Sequence, residues 1–228
     1  EWRQIGIGHM GLADTFIKLG ITYGSEESRT FSHKLGRFFI NECVKASSLL
    51  AKERGTFPKY DHESLIKSDF YVKNIDPSVK QLVKMFGMRN CALTSIAPTG
   101  SIGTMLGVST GIEPNFRFTY TRKTESLGDG DTYFEVDAQI VEDYLKVYPQ
   151  DKGNLPSYFV ESSSISPLDR IELQGTWQEY IDTAISSTIN LPEDGTVEDI
   201  EQIYINGWRK GLKGVTVFRD NCERSRRQ

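Results

Sequence analysis

Arg89-Asn90-Cys91-Ala92-Leu93-Thr94-Ser95-Ile96-Ala97-Pro98-Thr99-Gly100-Ser101-Ile102-Gly103 is the stretch on which the reading of this chain turns. The apolar run Cys91–Ala97 predicts a strand emerging from a core, and Pro98 turns the chain. Thr99, Gly100, Ser101 and Gly103 then follow in close succession. A bend of this make-up offers two hydroxyls and several backbone N–H groups. Its glycines carry no Cβ, so an anionic group can approach the main chain closely. By residue type alone the bend suits a phosphate cradle, although a plain turn is the commoner use of such a sequence.

Working outward, the flanks read as helices and strands in alternation. Ser25 caps a helix with Glu26 and Glu27 in its first turn, and Gly55 ends it. Phe31, Leu35, Phe38, Cys43, Ala46, Leu49 and Leu50 are its expected inward face. Asp76-Pro77 opens a shorter helix carrying Val79, Leu82, Val83 and Phe86 and stopping at Gly87. Residues 116–136, around Gly128-Asp129-Gly130, predict a two-strand excursion, and 137–147 another helix. The Ser-, Pro- and Gly-rich segment 149–170 reads as a long surface connection. Thr176-x-x-Glu179 reads as a capping box for a helix lined by Trp177, Tyr180, Ile181, Ala184 and Ile185. A strand at Ser187–Leu191 follows. Thr196 caps a helix with Ile200, Ile203, Tyr204 and Trp208 inward, and Val215–Phe218 is the next strand. Helix and strand alternating with short links predicts an α/β fold with parallel strands, whose ligand loops lie at the strand C-terminal ends.

Composition narrows the function classes. Of 228 residues, 25% are charged and 11% aromatic, as in a folded protein rather than a disordered one. A net charge of −4 gives no general attraction to nucleic acid or anionic membrane, so an anion site must be local. No apolar run approaches the roughly 20 residues that cross a bilayer, and no secretory pattern opens the sequence; the cytoplasm is the expected location. The three cysteines form neither a disulfide framework nor a zinc spacing, and no metal site is expected. The chain opens Glu1-Trp2 and enters a motif within a few residues, so it reads as part of something longer.

The run Arg89–Gly103, continuing to Gly111-Ile112-Glu113-Pro114, resembles the large catalytic subunit of ribonucleotide reductases, above all the adenosylcobalamin-dependent (class II) enzymes. Gly6-Ile7-Gly8-His9-Met10-Gly11-Leu12-Ala13-Asp14, Tyr133-Phe134-Glu135-Val136, Ser187-Thr188-Ile189-Asn190-Leu191-Pro192 and Gly211–Asp220 carry the resemblance along nearly the whole chain, in the family's order. The resemblance implies that residues 1–228 are the C-terminal portion of a ten-stranded α/β barrel with parallel strands and covering helices, incomplete alone. It implies that Pro98, Thr99, Gly100, Ser101 and Ile102 hold the phosphates of a ribonucleotide substrate. The implied reaction replaces the ribose 2′-OH by hydrogen, using a thiyl radical on a finger-loop cysteine in an Asn-x-Cys-x-Glu arrangement. No such arrangement occurs here, so no catalytic residue is expected in this chain. Adenosylcobalamin is the implied cofactor, as against the second, metal-containing subunit of class I. A thioredoxin-like reductant, and either a complementary N-terminal part or a homodimer partner, are the implied partners. A non-catalytic nucleotide-binding or assembly subunit is the alternative role.

Other candidates have plainer expectations. Cys91 and Cys43 are expected as packed thiols, His9 as structural, and His33 and His62 as surface or helix residues. Cys222 stands unpaired near the end. Glu113 is expected either at the barrel mouth or bracing the loop through backbone N–H bonds, and Arg219, Arg224, Arg226 and Arg227 as a solvated charge run.

Overall fold

A computed structural model describes residues 1–124 and 132–221; Gly128-Asp129-Gly130, Cys222 and Arg224, Arg226 and Arg227 lie outside them. Helix α1 (Leu12–Leu19) starts and stops at glycines with positive φ, Gly11 at 79° and Gly20 at 70°. Helix α2 (Glu26–Arg54) runs between the expected boundaries, with the Ser25 hydroxyl accepting from the Ser28 N–H. Short helices α3 (His62–Leu65) and α4 (Asp69–Asn74) lead to α5 (Pro77–Phe86), which stops at Gly87. After α6 (Gly100–Leu106) come β1 (Thr119–Thr124) and β2 (Thr132–Asp137), the expected antiparallel excursion. Then follow α7 (Gln139–Val147), α8 (Pro167–Gln178), β3 (Thr188–Leu191), α9 (Val197–Arg209) and β4 (Thr216–Arg219).

The parallel strands are real but short. β3 and β4 pair in parallel, Ile189 opposite Val217. The expected strand 91–97 forms only single bridges, Thr94 to Ile7 and Ile96 to Ile185, both parallel. Backbone bonds extend the strip: Ile7 N–H to Leu93 O (2.7 Å), Ser95 N–H to Ile7 O (3.0 Å) and Ser186 N–H to Ile96 O (2.8 Å). The run 183–191 therefore borders both 91–96 and β4. Gly6 and Gly8 permit this contact, since a Cβ on Gly8 would stand 2.3 Å from Ser95 O. Among the described residues the strip does not close into a barrel. The outer edge, with Trp2, Ile5 and Ile7, stays exposed.

Helix α8 is the centre of the helical layer. Ile171, Leu173 and Trp177 are fully buried, and the helix packs on α2, α9 and β3. It corrects two expectations. The segment 149–170 is not wholly a surface connection, because Ser162, Ile165 and Arg170 are buried in it. Nor does Thr176 cap a helix: it lies in the last turn of α8, and its hydroxyl donates to Glu172 O (3.0 Å). Ser166, accepting from Asp169 N–H, is the actual cap, with Pro167 in the first turn where its missing N–H costs nothing. Thr196 caps α9 as expected, in a reciprocal capping box with Asp199.

The inward face of α2 also differs. Phe38 is 64% exposed and Ala46, Leu49 and Leu50 are exposed, while Ser28, Ser32, Gly36, Ser47 and Ser48 are buried. Small residues let the neighbours come close: a Cβ on Gly36 would sit 2.5 Å from the Tyr180 ring. The Ser47 hydroxyl, in turn, accepts from the Arg89 and Asn90 N–H groups. On α9, Ile203 is buried but Tyr204 is half exposed and Trp208 79% exposed. None of the described helices is long and apolar enough to cross a membrane.

Candidate functional site

The 98–103 bend sits where the 91–96 segment leaves the parallel strip. Pro98, Gly100, Ser101 and Ile102 are exposed, Thr99 is half-buried and Gly103 is buried. The left-handed conformation falls on Thr99 (φ 45°), not on Gly100, and starts α6 directly behind it. Among the described residues the N–H groups of Gly100, Ser101 and Ile102 have no acceptor, whereas Gly103 N–H donates to Thr99 O (2.7 Å). The structure thus brings together three free N–H groups and the Ser101 and Thr99 hydroxyls on an accessible turn. Gly103 serves another purpose than the sequence suggested. Its missing Cβ makes room for Thr110 Cγ2 (2.8 Å) and Val108 O (3.0 Å), not for a ligand.

Thr99 is held from behind. Its Oγ1 accepts the Gly111 N–H at 3.1 Å, which leaves the hydroxyl proton to be donated elsewhere. Gly111 is buried at φ 48°, and a Cβ there would stand 3.0 Å from Ile96 Cγ2. On the far side of α6 lies a cleft of about 430 Å³ lined by Asp14, Gly103, Thr104, Glu113, Asn115 and Arg117, among others. Pro98–Ile102 do not line it.

Two carboxylates that sequence reasoning passed over organise the surroundings. Asp182 accepts from Leu93 N–H and Thr94 N–H (both 2.8 Å) and from the Thr94 hydroxyl (3.0 Å), fixing the segment that aims the bend. Asp14, 6% exposed, accepts from Ser109 N–H (2.7 Å) and from Asn115 Nδ2 (3.0 Å). Its sequence signal was a carboxylate on the apolar face formed by Ala13, Phe16 and Ile17. Glu113 accepts the Thr188 N–H (2.7 Å); it takes a backbone N–H as one expectation had it, but braces the start of β3 rather than the bend.

The remaining candidates are dispersed. His9 stacks 4.3 Å from Trp177 and 5.8 Å from Phe39, and burial pushes its pKa down to about 4. Neither His9 Nε2 nor Trp177 Nε1 has a partner among the described residues. His33 pairs with the Tyr180 hydroxyl and His62 with that of Tyr60. Cys43 is buried, and desolvation drives its thiol up to about 11. Cys91 corrects its expectation: it is exposed, at a bend ahead of the buried residues Leu93, Thr94 and Ile96. The described residues contain no cluster of His, Cys, Asp and Glu fit for a metal ion.

The chain is thus an α/β domain with a short parallel strip, and the accessible glycine–hydroxyl bend lies at the C-terminal end of the 91–96 segment. Residues 1–218 match the family described as ribonucleotide reductase, barrel domain, and the chain belongs to that family. It is 31% identical over 232 residues to a vitamin B12-dependent ribonucleoside-diphosphate reductase of Mycobacterium tuberculosis (strain CDC 1551 / Oshkosh), covering 95% of this chain and 31% of the relative. Against the Thermoplasma acidophilum protein of the same name, identity is 34% over 236 residues, covering 97% and 29%. A ribonucleoside-diphosphate reductase subunit alpha of Chlamydia pneumoniae is 28% identical over 261 residues, covering 98% and 25%. The chain thus spans about three tenths or less of the length of these relatives.

Proposed function

We propose that this chain forms part of a ribonucleotide reductase, supplying the bend Pro98–Ile102 that holds the substrate phosphates. The observation that carries the reading is the set of three unengaged N–H groups, at Gly100, Ser101 and Ile102, beside two hydroxyls on an exposed turn. Phosphate oxygens would accept from these donors, and the anchored nucleotide would present its ribose to a radical thiol on another stretch of polypeptide. That is catalysis by positioning. No cysteine described here suits the thiol's part, since Cys43 is buried and Cys91 lies at the opposite end of the 91–97 segment from the bend.

The names of the relatives point to adenosylcobalamin as the radical source of the whole enzyme. The described residues do not fit that group. Five of the clefts among the described residues measure about 210 to 560 Å³, and none of these five would enclose a corrin ring with its nucleotide arm. The partly buried imidazole of His9 lies against Trp177 and Phe39 with its Nε2 inaccessible. The cofactor's contacts therefore fall to other parts of the enzyme. The open edge at Trp2–Ile7 supports a further reading, that a complementary barrel segment or a partner copy completes the strip. A thioredoxin-like reductant and a cytoplasmic setting belong to the same proposal.

The test is Ser101→Ala in the native polypeptide that carries residues 1–228. A charge-assisted hydrogen bond is worth about 1.5–3 kcal/mol, so ribonucleotide affinity should fall roughly tenfold to a hundredfold. Unchanged affinity would remove the bend from the site. Deoxyribonucleotide formation, assayed with and without adenosylcobalamin, separates the reductase from a subunit that only binds or assembles.

A further inference from the structure

We propose that Asp14 is a positioning residue for the anion-holding bend, acting through Ser109; the inference rests on the reading of Pro98–Ile102 as the phosphate loop. Ser109 is gripped at every polar group it has. Its N–H donates to Asp14 Oδ2 (2.7 Å), its carbonyl accepts from Gly11 N–H (2.7 Å), and its Oγ accepts from Asp14 N–H (3.4 Å). Asn115 Nδ2 donates to the other Asp14 oxygen at 3.0 Å. These contacts tie the first turn of α1 to a loop some 95 residues away in sequence.

The residues flanking Ser109 touch both ends of the bend. Val108 N–H donates to Gly103 O (3.0 Å), and Val108 O and Thr110 occupy the space left by the absent Gly103 Cβ. Two residues further, Gly111 N–H donates to Thr99 Oγ1, which anchors the Thr99 hydroxyl oxygen. Fixing Ser109 therefore fixes the platform against which both Thr99 and Gly103 are set.

A carboxylate is the side chain this clamp requires. Both Asp14 oxygens receive donors, and no Lys, Arg or His lies within ion-pair distance of it among the described residues. Burying a charge without a counter-ion is costly, and hydrogen bonds from amides offset that cost. In Asp14→Asn the amide oxygen can keep the Ser109 N–H, and the new NH2 is accommodated only if Asn115 turns its side-chain amide over to accept from it; the charge-assisted bonds of the clamp are lost either way.

The experiment measures binding of CDP and of cytidine to the native polypeptide, to Asp14→Asn and to Ser101→Ala, with a melting curve for each. A positioning residue coupled through a packed network should weaken CDP roughly 2- to 30-fold on Asp14→Asn while leaving cytidine unchanged. A merely structural role would lower the melting temperature and leave the CDP affinity of the folded protein as it was; that result, with Ser101→Ala still weakening CDP, overturns the inference alone. Unchanged CDP affinity in Ser101→Ala overturns the loop reading and the inference with it. Should Asp14→Asn not fold, Asn115→Ala removes one donor and keeps the Ser109 arm. It should weaken CDP selectively but less, and an unchanged CDP affinity there also overturns the inference.

Discussion

Replacing His9 by phenylalanine should remove a defined portion of the acid sensitivity of this fold. The imidazole lies against Trp177 and Phe39, its Nε2 lacks a partner, and desolvation lowers its pKa from 6.5 to about 4. The folded state therefore keeps His9 neutral, while the unfolded chain takes up the proton as pH falls through 6.5. Between these values the unfolded state binds one more proton, so stability is fully present above 6.5, declines as pH falls, and levels off below about 4. At 1.36 kcal/mol per pH unit the loss is at most about 3 kcal/mol, and water reaching the ring would reduce it. His9→Phe keeps an aromatic ring against Trp177 and cannot be protonated. Urea unfolding of both proteins, from above pH 6.5 down to about 4, should give stability curves that diverge steadily toward acid, with the variant the less sensitive. Subtracting the curves cancels the carboxylates and the other two histidines. Parallel curves across that window would mean that His9 does not titrate differently in the two states, and the account of its burial would fail.

Other outcomes follow from the same geometry. Gly103→Ala would drive a methyl against Thr110 and Val108 O, so it should destabilise by about 1–3 kcal/mol in denaturant unfolding and weaken nucleotide binding as well. An unchanged unfolding midpoint would show that the loop behind α6 yields freely. At mildly alkaline pH, alkylation followed by peptide mapping should label Cys91 quickly and Cys43 only upon unfolding, since the one is exposed and the other buried with its thiol raised to about 11. Arg170 is buried and donates to Ser162 Oγ, Asn190 Oδ1 and Thr188 O; Arg170→Ala should cost on the order of 3 kcal/mol by emptying that space and taking the guanidinium donor from Thr188 O, since Ser162 and Asn190 keep their bond to each other, and a loss under about 0.5 would refute that part for it.

Local signals were legible where the deciding interaction is local. Ser25 with Ser28, Thr196 with Asp199, and the stops at Gly55 and Gly87 depend on residues within a few positions, and each stands where the sequence put it. The Thr176 cap failed because Thr176-x-x-Glu179 satisfies the same local rule, yet Ser166-Pro167 had already begun the helix. Which of two adequate caps is used depends on what the intervening turns bury, and α8 buries eight of its twelve residues. The α2 face failed for a similar reason. Apolar spacing marks a core face only where neighbours stand at ordinary distance, and here α2 meets Tyr180 and Asn90 closely enough that serine and glycine fit better than leucine.

The candidate site divides in the same way. Its donors could be read from Thr99, Gly100 and Ser101 in order, because a bend's exposed N–H groups and hydroxyls are properties of adjacent residues. The role of Gly103, the hold of Gly111 on the Thr99 hydroxyl and the clamp at Asp14 could not, because each depends on loop 107–115 folding back over α6. By itself the sequence determined the limits of α2 and α5 and the start of α9, the alternation that makes the strands parallel, and the chemical character of the bend. Only the tertiary structure decided which carboxylates hold it, which cysteine faces water, and that the described strip stays open, since burial and backbone pairing across tens of residues are settled by packing and not by neighbouring side chains.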